Sequence, residues 1–143
     1  MKYPAMILGI VALFACMLAG CARLANHEVG KEEFESKCAT CHGTSGKGDG
    51  PQSVVTKAAD LTQLAKKNGG VFPTQRVYEI IDGRREVAAH GPRTMPVWGR
   101  FFQVDVPDLP QGVPESNFSY RETSVHNKIQ WLIDYLVRLQ ELN

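Results

Sequence analysis

The sequence lacks a hydrophobic run of full membrane-spanning length. Its longest apolar run, Ala5 to Leu18, is broken only by Gly9 and covers roughly 14 residues, against about 20 for a transmembrane helix. There is no acidic or basic tail and no basic run interleaved with aromatics, which argues against nucleic acid as a partner. Neither sign of charge dominates: 16 Lys and Arg against 15 Asp and Glu give the 143 residues a formal net charge of +1, so electrostatics single out no partner. No internal repeat and no convincing strand pattern occur. Cysteine is scarce, with four residues at positions 16, 21, 38 and 41, and each has its own fate.

What is present begins with a leader. Lys2 supplies a short positive region ahead of the apolar run, which ends in Leu18-Ala19-Gly20-Cys21. That ending resembles the lipobox of bacterial lipoproteins, with small residues before a cysteine whose sulfur accepts diacylglycerol. Residues 1–20 are therefore expected to be removed, Cys16 with them. Residues 21–29 are then a lipidated cysteine and a tether, and 30–143 form one domain. The eight residues from Ala22 to Val29 reach at most about 28 Å, which holds the domain near the bilayer. Location is expected outside the cytoplasm on a bacterial membrane, on the periplasmic side in a two-membrane cell.

The centre of the chain is Cys38-Ala39-Thr40-Cys41-His42. C-x-x-C-H is the attachment signature of a c-type haem. Each thiol forms a thioether with one porphyrin vinyl group, and His42 follows at once to ligate iron. A thioredoxin-like redox pair would need a βαβ context, which is absent. A zinc site would need four ligands, and the remaining cysteines lie in or at the edge of the leader. Export agrees with this reading, since c-type haem is attached to exported chains. One covalent haem c is expected.

Helical signals surround the motif. Gly30 to about Thr40 reads as a helix, with Gly30, Phe34 and Cys38 four apart on one face. A glycine-rich loop follows from Gly43 to Pro51, without the lysine pattern of a phosphate cradle. Asp60 to Gly69 reads as a short helix capped by Asp60. Thr74 opens another, stopped by Gly83. Residues 100–123 contain Pro107, Pro110, Gly112 and Pro114 and read as loop. The last helix has Ser124 as N-cap, and Val125, Ile129, Leu132, Ile133, Leu136 and Leu139 or Gln140 follow the helical period.

Iron needs a second axial ligand or an open site. Of the four methionines, Met1, Met6 and Met17 leave with the leader, so Met95 alone remains. It stands in a proline-bounded loop rather than on a helical stripe. His90 is the rival; His27 lies in the tether and His126 opens the last helix. A His–Met pair saturates the iron and favours electron transfer, and the thioether raises the potential relative to two imidazoles.

With the C-A-T-C-H motif, the Met95 loop and the final amphipathic helix, the chain from about 28 to 143 resembles bacterial class I monohaem c-type cytochromes. The resemblance implies an all-α cytochrome c-like fold of three to five helices around one covalently bound haem. It implies that the first and last helices cross through Gly30 and Phe34 on one side and Leu132 and Tyr135 on the other. It also implies that Pro51 offers its carbonyl to the proximal His42. Residues 100–123 form a longer loop than the family usually has.

The function expected is a membrane-tethered one-electron carrier rather than an enzyme. Its partners would be a redox donor and acceptor, drawn from an oxidase, dehydrogenase or reductase. The alternatives are a haem enzyme or gas sensor in which Met95 is displaced, and a haem subunit of an oxidase or dehydrogenase complex. Anchoring provides a separate test. Cys21→Ser is expected to abolish acyl labelling and to release or mislocalise the protein. Wild-type protein found soluble after osmotic release, with no acyl mass, would refute the lipobox.

Overall fold

The computed structural model describes residues 27–83, 95–104 and 118–141. Cys16, Cys21 and His90 lie outside the described residues. The regular structure of the described residues is all helical, with no strand. Helix α1 covers residues 27–37 and gives way at Cys38 to the single turn α2, Ala39–His42. A second short turn, α3, spans Ser53–Thr56. After two 3-10 turns come α4, Thr74–Asp82, α5, Trp98–Val104, and the long α6, Phe118–Arg138.

α1 and α6 cross at a glycine. A Cβ at Gly30 would strike the carbonyl of Trp131, with the carbonyl carbon at 2.7 Å, and would lie 3.3 Å from Tyr135 Cβ. Only a residue without a side chain lets the two backbones approach this closely. One turn later, the rings of Phe34 and Tyr135 meet with centroids 5.2 Å apart, tilted by 44°. That edge-inclined arrangement suits the ring quadrupoles. Phe34 is 1% exposed and Leu132 also 1%, so the crossing expected from the family resemblance is present. The same core takes in Val77 and Ile81 of α4, Phe102 of α5, and Val125, Ile129, Ile133 and Leu136 of α6.

Two loop expectations are corrected. Residues 100–104 are helical, because Trp98, Phe101 and Phe102 stand at i, i+3 and i+4. Phe102 is fully buried, and its ring lies 6.1 Å from that of Trp98. α6 begins at Phe118, so Ser124 lies inside the helix and caps nothing. Neither proline nor glycine occurs after Pro114, and Arg121 donates to the Gln103 carbonyl at 2.9 Å, docking the first turns on α5. A breaker-rich segment had hidden a helix start that needs only the absence of breakers.

The helix expected from Asp60 to Gly69 is instead two 3-10 turns, Leu61–Gln63 and Lys66–Asn68. Asp60 does cap the first, accepting from the Thr62 N–H at 2.9 Å and the Thr62 hydroxyl at 2.6 Å. The interruption has a direct cause. The Leu61 carbonyl and Ala65 N–H would pair in an α-helix, but each bonds to the Gln140 side chain, at 2.8 and 2.9 Å. Gln140, on the apolar stripe of the last helix by period, is a buried amide wedged between two backbone partners.

The crossing yields the stability prediction. Phe34→Ala is expected to cost about 3–5 kcal/mol in denaturant unfolding of the holoprotein. A loss below about 1 kcal/mol would mean that the Phe34–Tyr135 contact does not hold the helices together.

Candidate haem-binding site

The motif is a helical turn held by its own backbone. Cys38 N–H still donates to the Phe34 carbonyl at 2.8 Å, so the motif grows directly from the buried end of α1. The Cys38 carbonyl then accepts from both Cys41 N–H, at 3.1 Å, and His42 N–H, at 2.9 Å. Residues three and four apart in such a turn project to one side, which gives Cys41 and His42 a common face with Cys38. Both thiols are free and half-buried.

The following loop folds back along this turn and satisfies its outer carbonyls. The N–H groups of Gly48, Gly50 and Gln52 donate in order to the carbonyls of His42, Cys41 and Thr40, at 2.8, 3.2 and 3.0 Å. Gly50 is pressed so close that a Cβ would lie 2.5 Å from the carbonyl oxygens of both Ala39 and Thr40. Backbone atoms cannot swing aside as a flexible side chain would. Here the glycine-rich loop works as a backbone clamp on the motif.

The His42 ring is oriented by a carbonyl, but not by that of Pro51. His42 Nδ1 lies 2.9 Å from the Ala59 carbonyl oxygen, while Pro51 is exposed. The chain explains the correction. After α3, Lys57 takes a left-handed conformation at φ 49°, and the chain returns beside the glycine loop. Ala58 O would meet a Gly48 Cβ at 2.5 Å, and Leu61 N–H donates to the Gly46 carbonyl at 2.7 Å. Ala59 is thereby carried past the imidazole. A carbonyl can only accept, so Nδ1 carries the proton and Nε2 holds the lone pair of the neutral ring. Burial lowers the His42 pKa, outweighing the Ala59 bond, which raises it.

Burial acts on Cys38 too. Its thiol is pushed up to about 12, first by burial and then by the Glu33 carboxylate, with Lys37 acting in the opposite direction. Glu33 lies between two ammonium groups, Lys37 at 2.9 Å and Lys128 at 3.6 Å. Lys37 meets Oε2 off the hydrogen-bond direction, as an ion pair only. A thiol that stays protonated does not suit a reactive redox pair. Among the described residues, no group of three or more His, Cys, Asp or Glu is arranged to hold a metal ion.

Met95 is half-buried and packs against the hydrophobic core, as do Cys38, Leu61, Leu64, Phe72 and Trp98. His27 stacks on Tyr135 with centroids 5.6 Å apart, and exposed His126 lies 3.2 Å from the Tyr78 hydroxyl through Nδ1. Neither belongs to the motif's surroundings. An open cleft of about 450 Å³, lined by Tyr78, Asp82, Glu122 and His126 among others, contains none of the motif residues or Met95. It is not the cofactor site.

The donor set fits a c-type haem: two free thiols one turn apart and a neutral imidazole presenting Nε2. Residues 25–109, more than half of the chain, match the family described as cytochrome c oxidase, cbb3-type, subunit III. The chain belongs to this family. Its domain is a cytochrome c domain, a haem-based electron carrier with covalently bound haem c. Such domains are typically extracytoplasmic, and the family implies redox partners in an oxidase or electron-transfer chain. Among the described residues, no helix is long and apolar enough to cross a membrane. No curated protein and no solved structure matches the chain.

Ala59 could not be found from sequence, because any residue type offers a carbonyl. Gly50 carried a signal, being one of several glycines in the loop after the motif. Gly50→Ala is expected to destabilise the holoprotein by about 1–3 kcal/mol, read by thermal or denaturant unfolding. A neutral result would mean that the clamp on α2 is loose.

Proposed function

We propose that the chain is a lipid-anchored one-electron carrier, not an enzyme, with a single haem c held by Cys38, Cys41, His42 and Met95. The observation that carries this reading is the half-buried His42 ring, held in its neutral form with Nδ1–H directed at the Ala59 carbonyl. That tautomer leaves Nε2 as the basic nitrogen, the state an iron-ligating histidine requires. Bound here, haem supplies a ferric/ferrous couple.

The chain's own groups set the properties of that couple. Cys38 and Cys41 are the thioether sulfurs, fixed in relative position by the hydrogen bonds of one turn. The Ala59 carbonyl orients His42 and raises its basicity. Met95 would be the second protein ligand: its thioether would favour ferrous iron, and it sits half-buried beside the core. Iron held by both His42 and Met95 would have no coordination site left for substrate, which would separate a carrier from a haem enzyme. Cys21 carries the lipid and keeps the domain on the outer side of the membrane.

The family description favours a second placement, as a haem subunit within an oxidase complex rather than a shuttle between complexes. Stoichiometric co-purification with an oxidase from detergent-solubilised membranes would select it.

Two linked measurements test the site. Haem should stay with the protein through acid–acetone extraction. The oxidised wild type should also show the weak far-red band of sulfur-to-ferric charge transfer. Met95→Ala is expected to remove that band, lower the potential and admit carbon monoxide to the reduced iron. An unchanged spectrum in Met95→Ala, with disruption in His90→Ala, would move the ligand assignment to His90.

A further inference from the structure

Gln140 does more than fill a core position. Its Oε1 accepts from Ala65 N–H at 2.9 Å, and its Nε2 donates to the carbonyls of Leu61 and Leu136, each at 2.8 Å. An amide NH2 has two hydrogens, so both acceptors are served at once. The residue is 9% exposed. It joins the end of α6 to a segment 75 and more residues away in sequence.

Its neighbours grip the same region. Glu141 N–H donates to the Thr62 carbonyl at 3.1 Å. The Glu141 carboxylate pairs with Lys47 at 2.9 Å and accepts from Gln63 at 2.7 Å. Leu139 Cδ1 lies 3.2 Å from where a Gly46 Cβ would stand. Three consecutive residues thus hold the Asp60–Ala65 segment and the glycine loop together. Both lead to His42, the first through the carbonyl of Ala59, the residue before Asp60. The second does so through Gly48 N–H, which donates to the His42 carbonyl at 2.8 Å.

We propose that Gln140 is a positioning residue for the proximal histidine: by holding the Leu61–Ala65 turn open, it sets where the Ala59 carbonyl stands and how strongly it orients His42. The inference rests on the reading of His42 as an iron ligand. Without the amide, the Leu61 carbonyl and Ala65 N–H form an i, i+4 pair with nothing between them. The turn then tightens toward α-helix, whose rise is about 1.5 Å per residue against about 2.0 Å in a 3-10 turn. Asp60 is drawn along the segment and Ala59 with it. A longer bond to Nδ1–H makes the imidazole a weaker donor to iron, and ferric iron loses more by this than ferrous.

The test uses the holoprotein. In Gln140→Met, similar in length but unable to bridge the two backbone groups, exchange of the His42 Nδ1–H proton should accelerate by about tenfold. The reduction potential should rise. Gln140→Glu keeps an acceptor for Ala65 N–H and loses the donor to Leu61, so both effects should be smaller. It carries the same comparison if Gln140→Met fails to fold. Ile133→Val, a core truncation on the same helix, should lower the melting temperature and move neither readout. A Gln140 variant that melts earlier with proton exchange and potential unchanged overturns the proposal, leaving Gln140 a structural staple. His42 ring protons lacking haem-induced shifts in the wild type would overturn the ligand reading, and this inference with it. Shifts present in both proteins, with exchange unchanged, would overturn this inference alone.

Discussion

The bond from His42 Nδ1 to the Ala59 carbonyl is where the separate parts of this structure meet. It fixes the tautomer, and so which nitrogen is left with a lone pair. It can form only if two backbones, far apart along the chain, are both held still. On the histidine side, the Cys38 carbonyl accepts from residues 41 and 42, and the glycine loop returns to cover the carbonyls of Thr40, Cys41 and His42. On the alanine side, Lys57 turns the chain back, Asp60 caps the next turn, and Gln140 holds that turn from α6. None of these contacts involves a strongly charged pair. Apart from the His42 ring bond and the Asp60 cap, they are backbone bonds and one neutral amide, which hold position without the screening that weakens surface ion pairs.

The helix crossing supplies the frame for this arrangement. α1 delivers Cys38 because it runs without a break from the Gly30 contact to the start of the motif. α6, 21 residues long, delivers Gln140 and Glu141 because it continues past the same contact at Trp131 and Tyr135 to Arg138, just before them. One close approach therefore fixes both ends of the site, the motif at the end of α1 and the clasp at the end of α6. Helix–helix packing of this kind is rigid because interiors are close-packed. A shift at Phe34 or Tyr135 would be felt at both ends.

What could be read from sequence follows this division. C-x-x-C-H, Gly30, Phe34 and the stripe of the last helix are coded by residue type and spacing, and the family resemblance they carry implies the fold class and the helix crossing. The partner of His42 was not legible. A backbone carbonyl leaves no mark in a sequence, and the resemblance pointed to Pro51, nine positions beyond His42, rather than to Ala59. Gln140 was visible as a polar residue at a core-facing position, yet period alone could not say which backbone it would enter. The Trp98–Phe102 cluster was passed over because prolines stood on both sides. Proline excludes a helix only where its own ring and the residue before it lie.

A single physical cause runs through the chemistry of the site. Burial depresses the His42 pKa and raises that of Cys38, because each shift favours the neutral form of its group. Neutral imidazole and protonated thiol are the forms from which an iron ligand and a thioether are made. The same poorly solvated surroundings penalise added charge on a metal centre, and so favour ferrous over ferric iron. The Ala59 carbonyl works against that tendency by making His42 more electron-rich. On the proposed ligation by His42, the potential of the couple would lie between two opposed terms, one from apolar burial and one from an oriented backbone dipole. The first is spread over many side chains and is hard to change by one substitution. The second depends on a single bond, so it is the term through which one residue can retune the site.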